Sequence, residues 1–420
     1  MKVLRVGICG WGNVATGMFK AIVDNKFFIE QSGVSIDIAC IGARRDNPKC
    51  NPGEIKIYRD IFDIPNQDID VVVELIGGVE TARELILKSI KAGKHVITAN
   101  KAVIFHHGDE IFNAANDHGV KVLFEAAVCA GTPIVKMLKE ELAPNRIKKI
   151  SGMLNGTSNF ILSNMEEGNE FDDTLRLAQE EGYAEPDPAF DIDGLDAAHK
   201  IGLLASIAYG TTLPPEEFYI EGITKIDKKD FLYADMLGYT IKHLAVSKLN
   251  KANIEIRVHP VLISKTSYLA NLKGVRNGIE IDTDLIGTIH IAGSGAGQES
   301  TASGLISDVI HLANSNIEII DIKKKNNSLP IKDFSSFSFQ YYFYIEVQDT
   351  PGVMASITSL LAHQNIGIES IVQKDNLEEN LVPIILVTNS FKETKVKDIK
   401  ESILNLESVN KLRTIRIEEI

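Results

Sequence analysis

The stretch that most restricts the fold is KVLRVGICGWGNVATG, at residues 2–17. Residues 2–9 form a short apolar strand. A glycine turn follows, and a helical pattern runs from about residue 13 to 24. Gly10 permits a tight turn, Gly12 lets the backbone approach a pyrophosphate, and Ala15 is small enough for the helix to pack on the strand. Free N–H groups at the helix start then face an anion. Alone, such a turn reads equally as a plain strand–helix connection.

The alternation continues. Strand-like runs occur at residues 35–41, 70–76, 95–98 and 121–124, with helix-like segments at 81–92 and 108–118. Strands alternating with helices predict a parallel, doubly wound sheet. Ligands of such sheets bind at the carboxyl ends of the strands. After the second strand come Arg44 and Arg45. An NAD site places an acid there, but Asp37 lies inside the strand. Two arginines suit a 2′-phosphate, favouring NADP(H), unless they are ordinary surface residues. Lys101 follows another strand end, in TANKA, and reads either as a site lysine or as a solvated charge. Glu125 follows a third, in FEAAVCAGTPI. A capped loop explains it alone; several oxygens on irregular backbone also suit a hard cation. Cys129 has no histidine near it in sequence, which makes it a poor nucleophile.

The middle of the chain has a strand at 149–154, helices at 157–167, 172–181 and 194–208, then mixed segments after Pro214-Pro215. Strands at 254–261 and 278–282 precede a helix at 300–314, expected to return to the first domain. In LNGTSNF, Thr157 or Ser158 caps the helix, and its N–H groups suit a carboxylate. The segment GYAEPDPAFDIDGLDAAHK, residues 182–200, crowds Glu185, Asp187, Asp191, Asp193 and Asp196 before Lys200. A solvated acidic loop is the plain reading. Yet Asp196 and Lys200, four apart, share a helix face. A lysine against a carbonyl oxygen stabilises developing alkoxide and donates a proton. Nearby carboxylates would take an ammonium group, so the segment fits an amino acid carrying a reactive oxygen.

Residues 323–336 are polar and charged and read as a linker. Beyond them the pattern restarts as βαββαβ in about 80 residues, a ferredoxin-like plan. The net charge, 44 − 57 = −13, disfavours nucleic acid and anionic membranes as main partners. Four cysteines without CxxC, no signal-peptide pattern and no apolar run near the roughly 20 residues of a membrane span point to the cytoplasm.

Together GWGNVATG, TANKA, EAAVCAGTPI, LNGTSNF, GYAEPDPAFDIDGLDAAHK and GSGAGQESTAS, in this order, resemble the homoserine dehydrogenase family over about residues 1–315. Residues 340–420 resemble an ACT domain, a small amino-acid-sensing module. The resemblance implies a Rossmann domain at 1–130 completed by a return segment near 300–320. It further implies a catalytic and dimerisation domain at 131–320, a linker at 321–338 and the ACT domain at 339–420. It implies interconversion of L-aspartate 4-semialdehyde and L-homoserine with NAD(P)(H). Lys101 and Lys200 are then the lysines at the reaction centre and Asp196 orients Lys200. Glu185 and Asp191 bind substrate, with the Asn155, Gly156 and Thr157 turn near its carboxylate. Gly10, Trp11, Gly12, Asn13, Val14, Gly77, Lys101 and Gly297 line the cofactor, with Arg44 and Arg45. Glu125 and the carbonyls of Val128, Ala130 and Thr132 match a structural sodium site. Ser300, often proline in the family, and Ala15, often glycine, leave the local cofactor geometry open.

In the tail, Asp349, Gly352 and Asn365 are the expected effector residues, with threonine the expected inhibitor and a homodimer or homotetramer the expected assembly. Deleting the chain after about residue 335 should then abolish threonine inhibition; a tail that only dimerises is the alternative. Three other functions compete. A dehydrogenase acting at an amine is disfavoured by EPDP…D…K. A catalytically dead sensor is disfavoured by the presence of Lys101, Asp196 and Lys200. An aldehyde dehydrogenase would need an activated cysteine.

Overall fold

The computed structural model describes residues 1–211, 218–315, 329–373 and 381–420. The chain forms two compact units that are discontinuous in sequence. One gathers Met1–Ile150 with the described parts of 196–217 and 275–329. The other gathers Ser151–Leu195, Phe218–Gly274 and Pro330–Ile420.

In the first unit, six parallel strands form the sheet: β1 Lys2–Cys9, β2 Val34–Gly42, β3 Lys56–Tyr58, β4 Val71–Glu74, β5 His95–Thr98 and β6 Val122–Leu123. Their order is β3-β2-β1-β4-β5-β6, which reverses direction between β1 and β4. The carboxyl ends at that reversal form the crevice of a doubly wound sheet. The helices are α1 Asn13–Asp24, α2 Lys26–Gln31, α3 Glu80–Lys91, α4 Lys101–His118 and α5 Glu125–Cys129. All four residues of β4 are buried, as covered parallel strands require.

The return helix Gln298–Asn314 belongs to this unit. Its Ala302, Leu305 and Val309 share one core with Val6, Ile8, Met18 and Val71. Truncating a fully buried leucine such as Leu305 to alanine costs about 2–5 kcal/mol. Gly17 of α1 makes the approach close, since a Cβ there would lie 2.8 Å from the Gln298 carbonyl oxygen. The unit also holds the helix Leu195–Tyr209 from Asp196 onward and the antiparallel pair Arg276–Thr283 and Thr288–Ser294.

Three expectations need correction here. The α4 helix begins at Lys101, not near residue 108, because Asn100 caps it: Oδ1 accepts from Val103 N at 3.2 Å. Gly108 is an interior residue of that helix. The strand expected at 121–124 shrinks to two residues, and the segment after it is the short helix α5 rather than an irregular loop.

In the second unit the strands run in the order Tyr239–Leu249, Ile254–Ser264, Val409–Ile417, Ser338–Gln348, Leu381–Thr388 and Ile368–Gln373. The last four, with helices Val353–His363 and Val396–Leu404, give the expected βαββαβ order. Their sheet and core continue into the rest of this unit. Val409–Ile417 pairs in parallel with Ile254–Ser264. Tyr342, Tyr344, Ile415 and Ile417 share a core with Ile161, Leu162, Phe231, Ile241 and Leu262.

Pro214, Pro215 and residues 321–328 of the expected linker lie outside the described residues. The rest of that linker is packed. Ile254 N donates to Pro330 O at 3.0 Å, Lys332 N donates to Ile254 O at 2.9 Å, and the Phe334 ring stacks 3.8 Å from Tyr219. Among the described residues no helix is long and apolar enough to cross a membrane.

Candidate active site

Gly10 adopts φ +97°, and a Cβ there would lie 2.5 Å from Leu75 O, so only glycine fits where β1 passes β4. Gly12 is the N-cap of α1, and a Cβ there would meet nothing within 4 Å. The space beside Gly12 at the helix N-terminus is therefore open. Ala15 is fully buried and supplies the small third position. Trp11 is buried, its Nε1 donating to Cys50 O at 3.1 Å. Asn13 is exposed and Val14 packs against the core. Gly77 and Gly78 both adopt positive φ just beyond β4. Arg44 and Arg45 stand exposed after β2, whereas Asp37 faces Arg5 inside the sheet register. Gly297 caps the return helix, and the Ser300 hydroxyl donates to Ala296 O at 2.7 Å, closing that loop.

Sequence reasoning missed Glu74, whose signal was an acid ending an apolar strand. It is fully buried. Its carboxylate accepts from Thr98 Oγ1 at 2.6 Å and Ile76 N at 2.8 Å. Burial pushes its carboxyl up, against those hydrogen bonds. Asn100 Nδ2 in turn donates to Gly78 O at 2.6 Å. Glu74 thus ties the ends of β4 and β5 together, next to Lys101.

The chemistry-bearing cluster of the first unit is a lysine pair on one carboxylate. Lys101 starts α4, and Asp196 and Lys200 share a face of Leu195–Tyr209. Lys101 Nζ lies 3.0 Å from Asp196 Oδ1, and Lys200 Nζ lies 2.8 Å from Asp196 Oδ2. Asp196 and Lys200 are buried, and the Lys101 side chain is 29% exposed. Here a carboxylate holds two ammonium groups in fixed positions, suited to polarising one oxygen.

Beside them is Cys129, whose thiol burial pushes up, although Lys200 pulls the other way. Asn277 Nδ2 lies 3.6 Å from its sulfur. It is a packed thiol rather than a thiolate.

Glu125 is buried and accepts from the amides of Ile134, Val135 and Lys136 at 2.7–2.8 Å. Its own amide donates to Asp308 Oδ2 at 2.9 Å, and Lys136 Nζ lies 3.2 Å from Asp308. Burial pushes Asp308 up to about 6, while Lys136 pulls it down. Of the other expected cation donors, Ala130 adopts φ +50° and its carbonyl faces Gly304. Thr132 and Val128 are buried. Among the described residues no group of three or more His, Cys, Asp or Glu side chains is placed to hold a metal.

In the second unit the helix Gly156–Glu166 is capped by Asn155, not by Thr157 or Ser158. Asn155 Oδ1 accepts from Ser158 N at 2.7 Å. The hydroxyls are used elsewhere, Thr157 donating to Tyr183 O at 2.7 Å and Ser158 to Asp191 O at 3.1 Å. Asn155 Nδ2 donates to Asp191 Oδ1 at 2.7 Å, so the structure joins these two expected substrate residues. Glu185 stands exposed on the preceding loop. A cleft of about 490 Å³ elsewhere in this unit is lined by Tyr219, Glu221, Glu393, Arg413 and Arg416. Asp349 and Gly352 lie at the strand-to-helix turn of the tail, and Asn365 adopts φ +54° beyond that helix.

Two family models match the sequence: the homoserine dehydrogenase NAD-binding domain over residues 10–125 and homoserine dehydrogenase over residues 133–310. Homoserine dehydrogenase of Pseudomonas aeruginosa is 44% identical over the full length of both chains. That of Bacillus subtilis is 31% identical over 100% of this chain and 99% of its own. The crystal structure of a homoserine dehydrogenase from Thiobacillus denitrificans matches with TM-score 0.90 and 39% identity, over 100% of this chain and 99% of that one. A hyperthermophilic archaeal homoserine dehydrogenase in complex with NADPH matches with TM-score 0.63 and 28% identity, over 74% of this chain and 97% of that one.

Proposed function

The chain belongs to the homoserine dehydrogenase family of NAD(P)-dependent oxidoreductases, and we propose that it works through two lysines held by Asp196. The observation that carries this reading is the pair of contacts at 3.0 and 2.8 Å from one buried carboxylate to Lys101 and Lys200. On this reading both ammonium groups face the substrate's reacting oxygen. They stabilise negative charge on it during reduction, and one of them, or a water they hold, supplies the proton. In the reverse direction the same groups remove it. Glu185 and Asp191 take the substrate ammonium, and the capped helix start at Asn155, Gly156 and Thr157 takes its carboxylate.

When bound, the nicotinamide supplies or takes up the hydride. Gly10, Trp11, Gly12, Asn13, Val14, Gly77, Lys101 and Gly297 hold that cofactor, and Arg44 and Arg45 select NADP(H) by its 2′-phosphate. The tight Gly10 turn and the open space at Gly12 fit this role.

A sodium ion would sit on Glu125 and the carbonyls of Val128, Ala130 and Thr132. Three N–H groups use three of about four lone-pair sites on Glu125, leaving one for a cation. The tail acts as an ACT-type sensor of threonine through Asp349, Gly352 and Asn365, in a cytoplasmic homodimer or homotetramer.

Initial-rate oxidation of L-homoserine with NADP and with NAD, with and without threonine, tests this reading. Turnover that favours NADP and falls with threonine supports it. The tail requires a point substitution such as Asp349→Ala. Deleting it after residue 335 would expose Ile161, Leu162 and Phe231 of the shared core, so lost inhibition in a truncated chain would report unfolding as readily as sensing.

A further inference from the structure

We propose that Phe105, His199 and Gly202 form a clamp that sets the distance between the two lysines, making Phe105 and His199 positioning residues for the reaction. The proposal rests on the reading of Lys101, Asp196 and Lys200 given above. Lys101 comes from α4, while Asp196 and Lys200 come from Leu195–Tyr209. Asp196 can bridge both ammonium groups only if these two helices hold a fixed register. Hydrogen-bond geometry tolerates a few tenths of an ångström, so something stiffer than the ion pairs must fix them.

The stiff element lies one turn after Lys101 on α4, and beside Asp196 and Lys200 on the other helix. Phe105 is four residues after Lys101, on the same face of α4. Its ring stacks on the His199 imidazole, with centroids 4.4 Å apart and planes within 18°. His199 sits between Asp196 and Lys200 in sequence and is 4% exposed. Gly202 is the seat of the phenyl ring, since a Cβ there would lie 2.4 Å from Phe105 Cε2. His106 closes the cluster edge-on, with its ring 5.2 Å from His199. The two helices are thus locked by a flat ring wedged between an imidazole and a bare backbone. This packing is close enough that a methyl group would displace it.

The imidazole must be neutral to stack beside two ammonium groups without repelling them. Burial, with His106 and Lys101 acting the same way, pushes His199 down to about 4, while Asp196 pulls it up. The ring is therefore neutral at physiological pH, and its flat face rather than a charge is the working feature.

The test uses the full-length enzyme with His199→Ala, His199→Phe and Gly202→Ala. Lys200→Ala serves as the control for the underlying reading. Each is assayed for kcat and for the KM of L-homoserine and of NADP, and thermal melting verifies folding. The expected result is that His199→Ala lowers kcat roughly tenfold or more, in the range of a 1 Å misplacement. The KM for NADP stays near the parent's. His199→Phe, which keeps the stack, restores most of the lost kcat. Gly202→Ala, which pushes on Phe105, resembles His199→Ala. A folded His199→Ala with parental kcat overturns the clamp, and so does a His199→Phe as slow as His199→Ala. If His199→Ala does not fold, Gly202→Ala and His199→Phe carry the same decision. Parental turnover by Lys200→Ala would instead remove the lysine-pair reading, whatever the clamp variants do.

Discussion

Two buried charge clusters in this chain have opposite stoichiometry. In the first unit one carboxylate, Asp196, serves two ammonium groups. In the second unit one guanidinium, Arg416, serves two carboxylates: Glu221 at 2.7 Å and Glu393 at 2.6 and 2.9 Å, with the Tyr219 hydroxyl at 3.0 Å. Burial alone would push the Glu221 carboxyl up, yet Arg416 and the Tyr219 hydrogen bond hold it below its usual range. Arg413 repeats the pattern, forked onto Asp230 at 2.8 and 2.9 Å and lying 3.1 Å from Asp227. A planar guanidinium forked onto carboxylates is suited to fixing structure. A carboxylate shared between two ammonium groups neutralises each less than a dedicated partner would. That arrangement suits groups that must respond to charge appearing on a substrate oxygen.

The comparison can be broken from either side. Arg416→Met should destabilise the protein, by less than the roughly 3–5 kcal/mol of a fully buried pair, because Glu221 and Glu393 are left half-buried without it. Chemical denaturation would measure that loss, and kcat per folded molecule should barely move. Asp196→Asn should do the reverse. It should lower kcat about a hundredfold, the scale of a misplaced acid–base group, with a smaller loss of stability. Steady-state kinetics beside a melting curve would separate the two effects. Equal losses of stability and activity in both variants would erase the distinction. Replacing Arg44 and Arg45 by serine should cut the preference for NADP over NAD roughly tenfold, or about 1.4 kcal/mol.

A further expected effect concerns acid. His199 in the first unit, and His243 and His259 in the second, have folded pKa values pushed down by burial above all. A lowered histidine pKa means that the unfolded chain binds the proton more tightly. Stability is therefore full above about pH 6.5 and falls as pH drops toward 4. Melting temperatures across that window should decline with acid. His199→Phe should make the slope shallower by roughly one proton at most.

Much of the first unit was readable because its strands are short apolar runs and its turns are marked by glycines with stated jobs. The face shared by Asp196 and Lys200 followed from their spacing of four. The bridge from Asp196 to Lys101 did not, because 95 residues separate them and only the fold brings α4 alongside. The α4 start was misread by treating Gly108 as a boundary, although Asn100 stood at a cap position three residues before Val103. The integration of the tail left a signal that went unused. Residues 341–347 are apolar at nearly every position, without the alternation of a half-solvated strand, and the structure buries both faces. Such a strand needs cover on two sides, and the cores around Tyr342 and around Phe343 provide it. The partners of Arg416 were beyond reach of any local pattern, since Glu221 lies 195 residues away in sequence.

The most direct measurement is kcat for L-homoserine oxidation by Lys200→Ala beside the parent, with thermal melting of both. A folded variant slower by about 10²–10⁴-fold, as expected for loss of a positioned acid–base group, is the predicted result. A folded variant that turns over at the parental rate would contradict the assignment of the lysine pair to the chemistry.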